Sequence, residues 1–191
     1  MTKGKNFISN LLIIVLISGF VSCGKDEPPV FEKGNLIGDY VGNCVVSLGS
    51  TGAKSEIKSG FPAEFIQKDK QSLHFKIGNA DFYKSIGISI LITASGFKDY
   101  GDIAKFNLEN INDTFGSNQI PDYIKNNIDP GFEMSAMTLT LKPDPKNPPS
   151  YTATYEVLTF TYTGTIEITG KNPATEKTIC SITYSFNLNK K

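Results

Sequence analysis

Cys180-Ser181-Ile182-Thr183-Tyr184-Ser185-Phe186-Asn187-Leu188 alternates apolar with polar residues from its first position to its last. Successive side chains of an extended strand point to opposite faces, so Cys180, Ile182, Tyr184, Phe186 and Leu188 form one apolar face and the hydroxyls and amide form the other. A strand of this kind lays one face on a core and leaves the other wet. The same two-residue period recurs in Leu73-His-Phe-Lys-Ile77, Met137-Thr-Leu-Thr-Leu141 and Tyr151-Thr-Ala-Thr-Tyr-Glu-Val157, and the chain therefore reads as all-β.

Working outward from the last strand, Leu158, Phe160 and Tyr162 occupy the parity opposite to Tyr155 and Val157, which points to a bulge or a change of sheet face. Thr165-Ile-Glu-Ile-Thr169 runs up to Gly170, and Lys171-Asn-Pro-Ala174 makes the turn into the final strand. At the other end, Leu36 to Leu48 opens the folded part with Tyr40, Cys44, Val46 and Leu48 on one side of a strand, a side that Gly38 and Gly42 share. Glycine at alternate positions lets a strand bend or pass close to another backbone, as where a barrel curves. Between these ends, Ala53 to Lys58, Ala63 to Gln67 and Ile103 to Glu109 read as strands; Ile86 to Thr93 reads as a strand too, although a buried helix fits its apolar run. Ser117 to Ile128 places Ile120, Tyr123, Ile124 and Ile128 at helical spacing, with Pro121 in the first turn and Gly131 beyond the end. A single short helix in a β chain either plugs one end of a barrel or packs outside it. Lys142 to Ser150 is dense in proline and reads as a long exposed loop between two strands.

The N-terminal segment has a different character. Lys3 and Lys5 precede an apolar run from Leu11 to Val21, which is closed by the small Ser22 and followed by Cys23. That layout is a secretory leader, and the run is short for a membrane span. Phe20-Val-Ser-Cys23 resembles the lipobox of bacterial lipoproteins, with Phe20 where leucine is usual; the resemblance implies cleavage before Cys23 and acylation of its thiol, an anchor of acyl chains in a membrane. Lys25-Asp-Glu27 resembles the surface-export signal of lipoproteins of the Bacteroides group, with an ordinary solvated charge cluster as the other reading. Residues 1–22 are thus expected to be a leader, 23–34 an acylated N-terminus and Pro28-Pro29 linker, and 35–191 a single domain at the outer membrane.

Gly38-Asp-Tyr-Val-Gly42 resembles the first strand of the calycin-like, lipocalin-like lipoproteins of the Bacteroides group. The resemblance implies an antiparallel closed or nearly closed β-barrel; a β-sandwich is the alternative. With Cys23 acylated, Cys44 and Cys180 remain in the first and last strands. If closure makes those strands neighbours, the two can form a disulfide in an exported compartment; otherwise they are two buried thiols.

Composition narrows the function. Losing Lys3 and Lys5 leaves 17 of the 19 basic residues against 19 acidic ones, a formal charge of about −2 that selects no charged partner. Every basic residue is lysine, so the planar guanidinium fork that suits phosphates and base edges is missing and nucleic acid is not an expected partner. His74 is the only histidine and shares the outward parity of Lys76, which removes multi-histidine metal sites and leaves little for a proton relay. No nucleophile elbow or cofactor-binding motif is present, and Glu64, Asp81, Glu109, Glu133 and Glu156 are too scattered to define a catalytic pair. The expectation is a protein that is not an enzyme and carries no cofactor. A closed barrel with inward aromatics holds one small apolar or amphipathic ligand, lined by Tyr40, Phe65, Phe75, Phe106, Tyr155, Tyr184 and Phe186, for each of which ordinary core packing is the competing role. The alternative is a structural or interaction subunit with a filled core.

Overall fold

In the computed structural model, which describes residues 33–49, 54–128, 132–154, 156–171 and 177–191, one turn of 3-10 helix at Lys33–Leu36 leads into ten strands that run up and down around a ring. They are β1 (Gly38–Leu48), β2 (Glu56–Gln67), β3 (Leu73–Gly78), β4 (Ser89–Asp99), β5 (Ile103–Leu108), β6 (Ile111–Gly116), β7 (Met134–Pro143), β8 (Ser150–Thr152), β9 (Val157–Gly170) and β10 (Lys177–Lys190). All pairings are antiparallel. β10 pairs with β9 along one edge and β1 along the other, which closes the sheet and removes the free edges that an open sheet presents.

The ring is a closed barrel of 8 strands because four of the ten segments are halves of two interrupted ones. Ile103 lies opposite Thr152 and Lys105 opposite Ser150; farther up, Ile111 lies opposite Leu141 and Gly116 opposite Ala136. β5 and β6 therefore form one strand jointed at Glu109 and Asn110, and β7 and β8 form its antiparallel neighbour. The proline-rich stretch is an excursion within that neighbour, and β9 pairs first with β8 and then with β7.

Alternation drives this arrangement. Tyr40, Cys44, Val46 and Leu48 of β1 and Cys180, Ile182, Tyr184, Phe186 and Leu188 of β10 all face inward as their spacing demands. Each large side chain so buried contributes about 1.5–3 kcal/mol. Between Gly42 and Asn43 the β1–β2 register shifts by one residue, and the surplus residue on β2 is Gly60, at φ 71°. A Cβ on Gly42 would stand 2.1 Å from the Asn187 carbonyl oxygen, so this glycine permits the close approach of β10 that the alternate glycines predict.

The two expected strands Ala53 to Lys58 and Ala63 to Gln67 are one bulged strand, β2, which starts only at Glu56; Ala53 lies outside the described residues. Tyr151 to Val157 is not one strand: β8 stops at Thr152, and a turn carrying Glu156 at φ 50° reverses the chain before β9. That turn, and not a bulge, causes the parity change before Leu158. Ile86 ends a short helix, α1 (Ala80–Ile86), and β4 starts only at Ser89. Asn79 caps α1 by accepting from the Asp81 and Phe82 amides, and the Gly87 amide closes its other end. The expected helix is present as α2 (Asp122–Asn127).

Both helices lie across the end of the barrel at which β1 finishes. Tyr184 on the inner face of β10 donates to the Ile86 carbonyl at 2.7 Å, and Tyr123 of α2 donates to the Lys54 carbonyl at 2.8 Å while accepting from the Leu48 amide. Ile86, Ile120, Ile124 and Ile128 complete the plug with their apolar faces. At the opposite end Tyr40 donates to the Leu36 carbonyl at 2.8 Å, so Leu36 stoppers the barrel there. In each case the phenol satisfies a carbonyl that helix or strand geometry leaves unpaired, and the ring serves as core.

Candidate functional site: an opening in the barrel wall

The aromatic residues expected to line a ligand cavity meet one another across the barrel. Phe65 stacks on Phe75 at 4.1 Å and Phe160 on Phe186 at 4.2 Å, while Phe75 presents an edge to Phe160 at 5.4 Å. Phe106 and Tyr40 join through Phe65, at 5.7 and 5.8 Å. Tyr184 continues the column above Phe186 at 6.5 Å. Six of the seven predicted residues are thus brought together as a packed ring network; Tyr155 lies outside the described residues. Burial pushes the phenols of Tyr40 and Tyr184 well above the ordinary tyrosine range, so both stay neutral hydrogen-bond donors.

Where the wall is interrupted, the network reaches the surface. Between Pro143 and Ser150 the chain leaves the sheet, so β9 has no strand partner on that side between Thr159, opposite Ser150, and Tyr162, opposite Pro143. Under the overhanging loop is a cavity of about 330 Å³ lined by Lys105, Lys146, Asn147, Pro148, Ser150, Thr159, Phe160, Thr161 and Phe186. Lys105, Ser150, Thr159 and Thr161 belong to the outer face; Phe160 and Phe186 belong to the inner one, and they are only 3% and 4% exposed. The cavity therefore enters through the break and ends on the stacked phenylalanine pair.

The rim is preorganised. Ser150 and Thr159 share a hydroxyl hydrogen bond of 3.0 Å across the β8–β9 pair, and the Phe106 amide donates to the Pro149 carbonyl at 3.2 Å. Asp144 starts the excursion. Its carboxylate accepts from the Lys146 amide at 3.0 Å and the Asn147 side-chain amide at 2.7 Å, while its own amide donates to the Thr161 carbonyl. Those donors hold the Asp144 carboxyl below the usual carboxylate range. With Asp144 occupied in the turn, the lining itself contains two lysines and no carboxylate. The site offers aromatic faces, a row of hydroxyls and two ammonium groups, which together suit a small amphipathic molecule that carries negative charge.

Of the residues predicted for a ligand, Phe186 lines this cavity. Tyr40 borders a separate cleft of about 200 Å³ on the outer wall, among Asp39, Pro62, Glu64 and Lys76, where the ladder is unbroken. The lysines and hydroxyls of the opening were not identifiable from sequence spacing, because they come together only through the pairing of β5, β8 and β9. Their one trace in the sequence is the proline density of 142–150.

Cys44 and Cys180 are both free thiols. Closure does make β1 and β10 neighbours, but the expected disulfide is overturned by register. Cys44 lies opposite Phe186, so Cys180 is six residues away along β10, about 20 Å at the usual rise and far beyond the roughly 7 Å that a disulfide spans. Burial raises both thiols above their ordinary range, which makes them inert core residues. Cys23 lies outside the described residues. Among the described residues no group of three or more His, Cys, Asp or Glu could hold a metal ion, and no helix is long and apolar enough to cross a membrane.

No family model matches the chain, and no curated protein matches it. Among solved structures, the crystal structure of an auxiliary nutrient binding protein from Bacteroides thetaiotaomicron is similar at 14% identity and a TM-score of 0.24; the match covers 78% of this chain and 45% of that one.

Proposed function

We propose that the chain is a lipid-anchored protein of the cell envelope that binds a small amphipathic ligand and is not an enzyme. The observation that carries the binding role is the break in the wall at 144–149, which brings a cavity of about 330 Å³ onto the stacked Phe160–Phe186 pair. That volume is at the lower end of small-molecule sites. The ligand sits in the wall and not along the barrel axis, where the rings are in mutual contact. The anchor rests on the Phe20-Val-Ser-Cys23 pattern, and the Lys25-Asp-Glu27 motif behind it favours the outer membrane and its exposed side.

Native mass spectrometry of the mature chain, purified gently from envelopes, tests the binding role. The expected result is a retained small molecule that is lost from the Thr159→Trp variant, whose indole fills the cavity from the outer face. Apo protein in both forms overturns the proposal. It favours a second reading, for which the continuous ring network is the specific support: a filled barrel acting as a structural or interaction subunit.

A further inference from the structure

Both strands of the β4–β5 hairpin are interrupted at nearly the same level. Ala94 lies opposite Leu108 and Ser95 opposite Asn107, but Lys98 lies opposite Lys105, so β4 carries one surplus residue, and Gly96 stands there at φ 62°. A Cβ on Gly96 would come within 2.5 Å of the Asn107 side-chain amide. The other strand breaks at the Glu109–Asn110 joint, two residues beyond Asn107 or about 7 Å along the chain. On the barrel side of that line the hairpin is pinned. The Glu109 amide donates to the Thr93 carbonyl at 3.3 Å, its carboxylate accepts the Thr93 amide at 2.8 Å, and Tyr162 donates to its carbonyl at 2.8 Å.

On the other side of the line the hairpin is attached along one edge. β3 pairs with β4 only as far as Leu73 opposite Ala94, so 95–99 have no strand partner on that side among the described residues. β5 is joined to β8 through three facing pairs, Ile103–Thr152, Ala104–Tyr151 and Lys105–Ser150. The Phe106 amide donates to the Pro149 carbonyl at 3.2 Å, and the Asp102 carbonyl and carboxylate accept the amides of Ala153 and Thr154, each at 2.8 Å. These contacts form a latch, and β8 itself is only three residues long.

What the hairpin covers is the ring network. Phe106 presents an edge to Phe65 at 5.7 Å, and Phe97 packs on Phe106 at 5.5 Å. Turning the hairpin about Gly96 and Glu109 gives up the burial of Phe106, Ala104 and part of Phe97 together with a three-pair ladder, whereas unfolding the barrel gives up the whole core. Segments held by so small a share of the contacts open more often than the molecule unfolds. We infer that residues 96–108 form a hinged flap, which opens as a unit from β8 and uncovers Phe65 and the ring network beside the wall opening that Lys105 lines. The flap belongs to the wall and does not depend on the binding role proposed above.

Amide hydrogen exchange of the mature chain in its native state tests the flap. The amides of Phe106 and of Ala104, two residues before it on the same edge, are expected to exchange about 100-fold faster than those of Tyr162 and Tyr184 in the β9–β10 ladder, while Ile92 of β4, on the barrel side of the hinge and opposite Phe75, keeps the protection of that ladder. A disulfide between Ile103→Cys and Thr152→Cys, which face each other across the latch, ties the flap to β8, since facing residues of an antiparallel pair lie within disulfide reach. Oxidation should slow Phe106 by about 100-fold and leave Tyr184 unchanged, and reduction should restore the faster rate. In the unaltered chain, exchange at Phe106 no faster than at Tyr184 means that the hairpin opens only with the barrel and overturns the flap. Exchange of Ile92 together with Phe106 overturns the hinge, because the hairpin then unravels through Gly96. Fast exchange at Phe106 that the oxidised bridge leaves unchanged is fraying within the strand, and it overturns the inference as well.

Discussion

The wall formed by β9, β10 and β1 and the wall formed by β5 to β8 are built from the same alternating residues, yet they carry different burdens. In the first, the ladder between β10 and β9 runs without interruption from Lys177–Thr169 to Asn189–Val157, and every inward side chain is core. In the second, one strand is jointed at Glu109–Asn110 and its neighbour is interrupted at 144–149, and side chains do the work the ladder leaves undone: Tyr162 donates to the Glu109 carbonyl at 2.8 Å, the Glu109 carboxylate accepts the Thr93 amide, and Asp144 holds the loop. Where the ladder is continuous the wall only encloses. Where it is broken, polar groups and buried rings reach one surface, which is the minimum a binding site requires.

The largest test of that contrast is a pair of ring deletions. Phe75→Ala, in the continuous part of the network, is expected to cost about 4 kcal/mol, in the middle of the range for a buried aromatic. Phe160→Ala should cost nearer 3 kcal/mol, because its ring borders the opening and part of the void it leaves is shared with an existing cavity. Chemical denaturation of both variants measures the difference. An equal or larger loss at Phe160 would mean that the wall is as tightly sealed at the break as elsewhere.

The same contrast explains what could be read from the sequence. Alternation of the kind seen in 180–188 reports on one strand and its core, and so the all-β class and the inward residues of β1 and β10 were legible; closure was implied only by the resemblance carried by Gly38-Asp-Tyr-Val-Gly42, with a sandwich as the alternative, and α2 by the helical spacing of Ile120, Tyr123, Ile124 and Ile128. Interruptions are relations between strands. Nothing in Tyr151 to Val157 distinguishes a strand from a strand end and a turn, and Ile111 to Gly116 was not identified as a strand because Asn112, Asp113 and Thr114 dilute its apolar pattern. α1 was missed although its caps, Asn79 and Gly87, stand in the sequence at helical spacing; seven residues give too few turns for a periodic signal. Register was hidden for the same reason. The cysteines are on neighbouring strands, as closure requires, and still face different partners.

A smaller effect separates the continuous ladder from the joint, at one tyrosine that reaches each. Tyr184→Phe leaves the Ile86 carbonyl buried without its donor and should cost about 1–2 kcal/mol. Tyr162→Phe removes the donor from the Glu109 carbonyl beside the joint, where water can take its place, and should cost about 0.5 kcal/mol. If thermal unfolding ranks them the other way, the joint at Glu109 is more tightly sealed than the helical plug over Tyr184.

The smallest expected effect is in acid, and it compares the excursion with an ordinary turn of the continuous ladder. Asp69, between β2 and β3, accepts from the Ser72 hydroxyl and the amides of Gln71 and Ser72, and these hold its carboxyl down to about 2. Asp144 is lowered too, by the Lys146 amide and the Asn147 side chain, with fewer donors on it. For a carboxyl depressed in the folded state, the stabilisation is complete above the unfolded value near 3.9 and is lost as pH falls through the folded one. With two protein donors on Asp144 against three on Asp69, the excursion should protonate and loosen first as pH drops below about 4, while the β2–β3 turn holds until pH nears 2. Carboxyl carbon shifts, followed with the amide lines of Gln71 and Lys146, separate the two events, and Asp144→Asn should remove only the earlier one. Coincident titration of both would show that the loop over the opening is held as firmly as a hairpin turn, and would leave the opening a fixed feature of the wall with no looser cover.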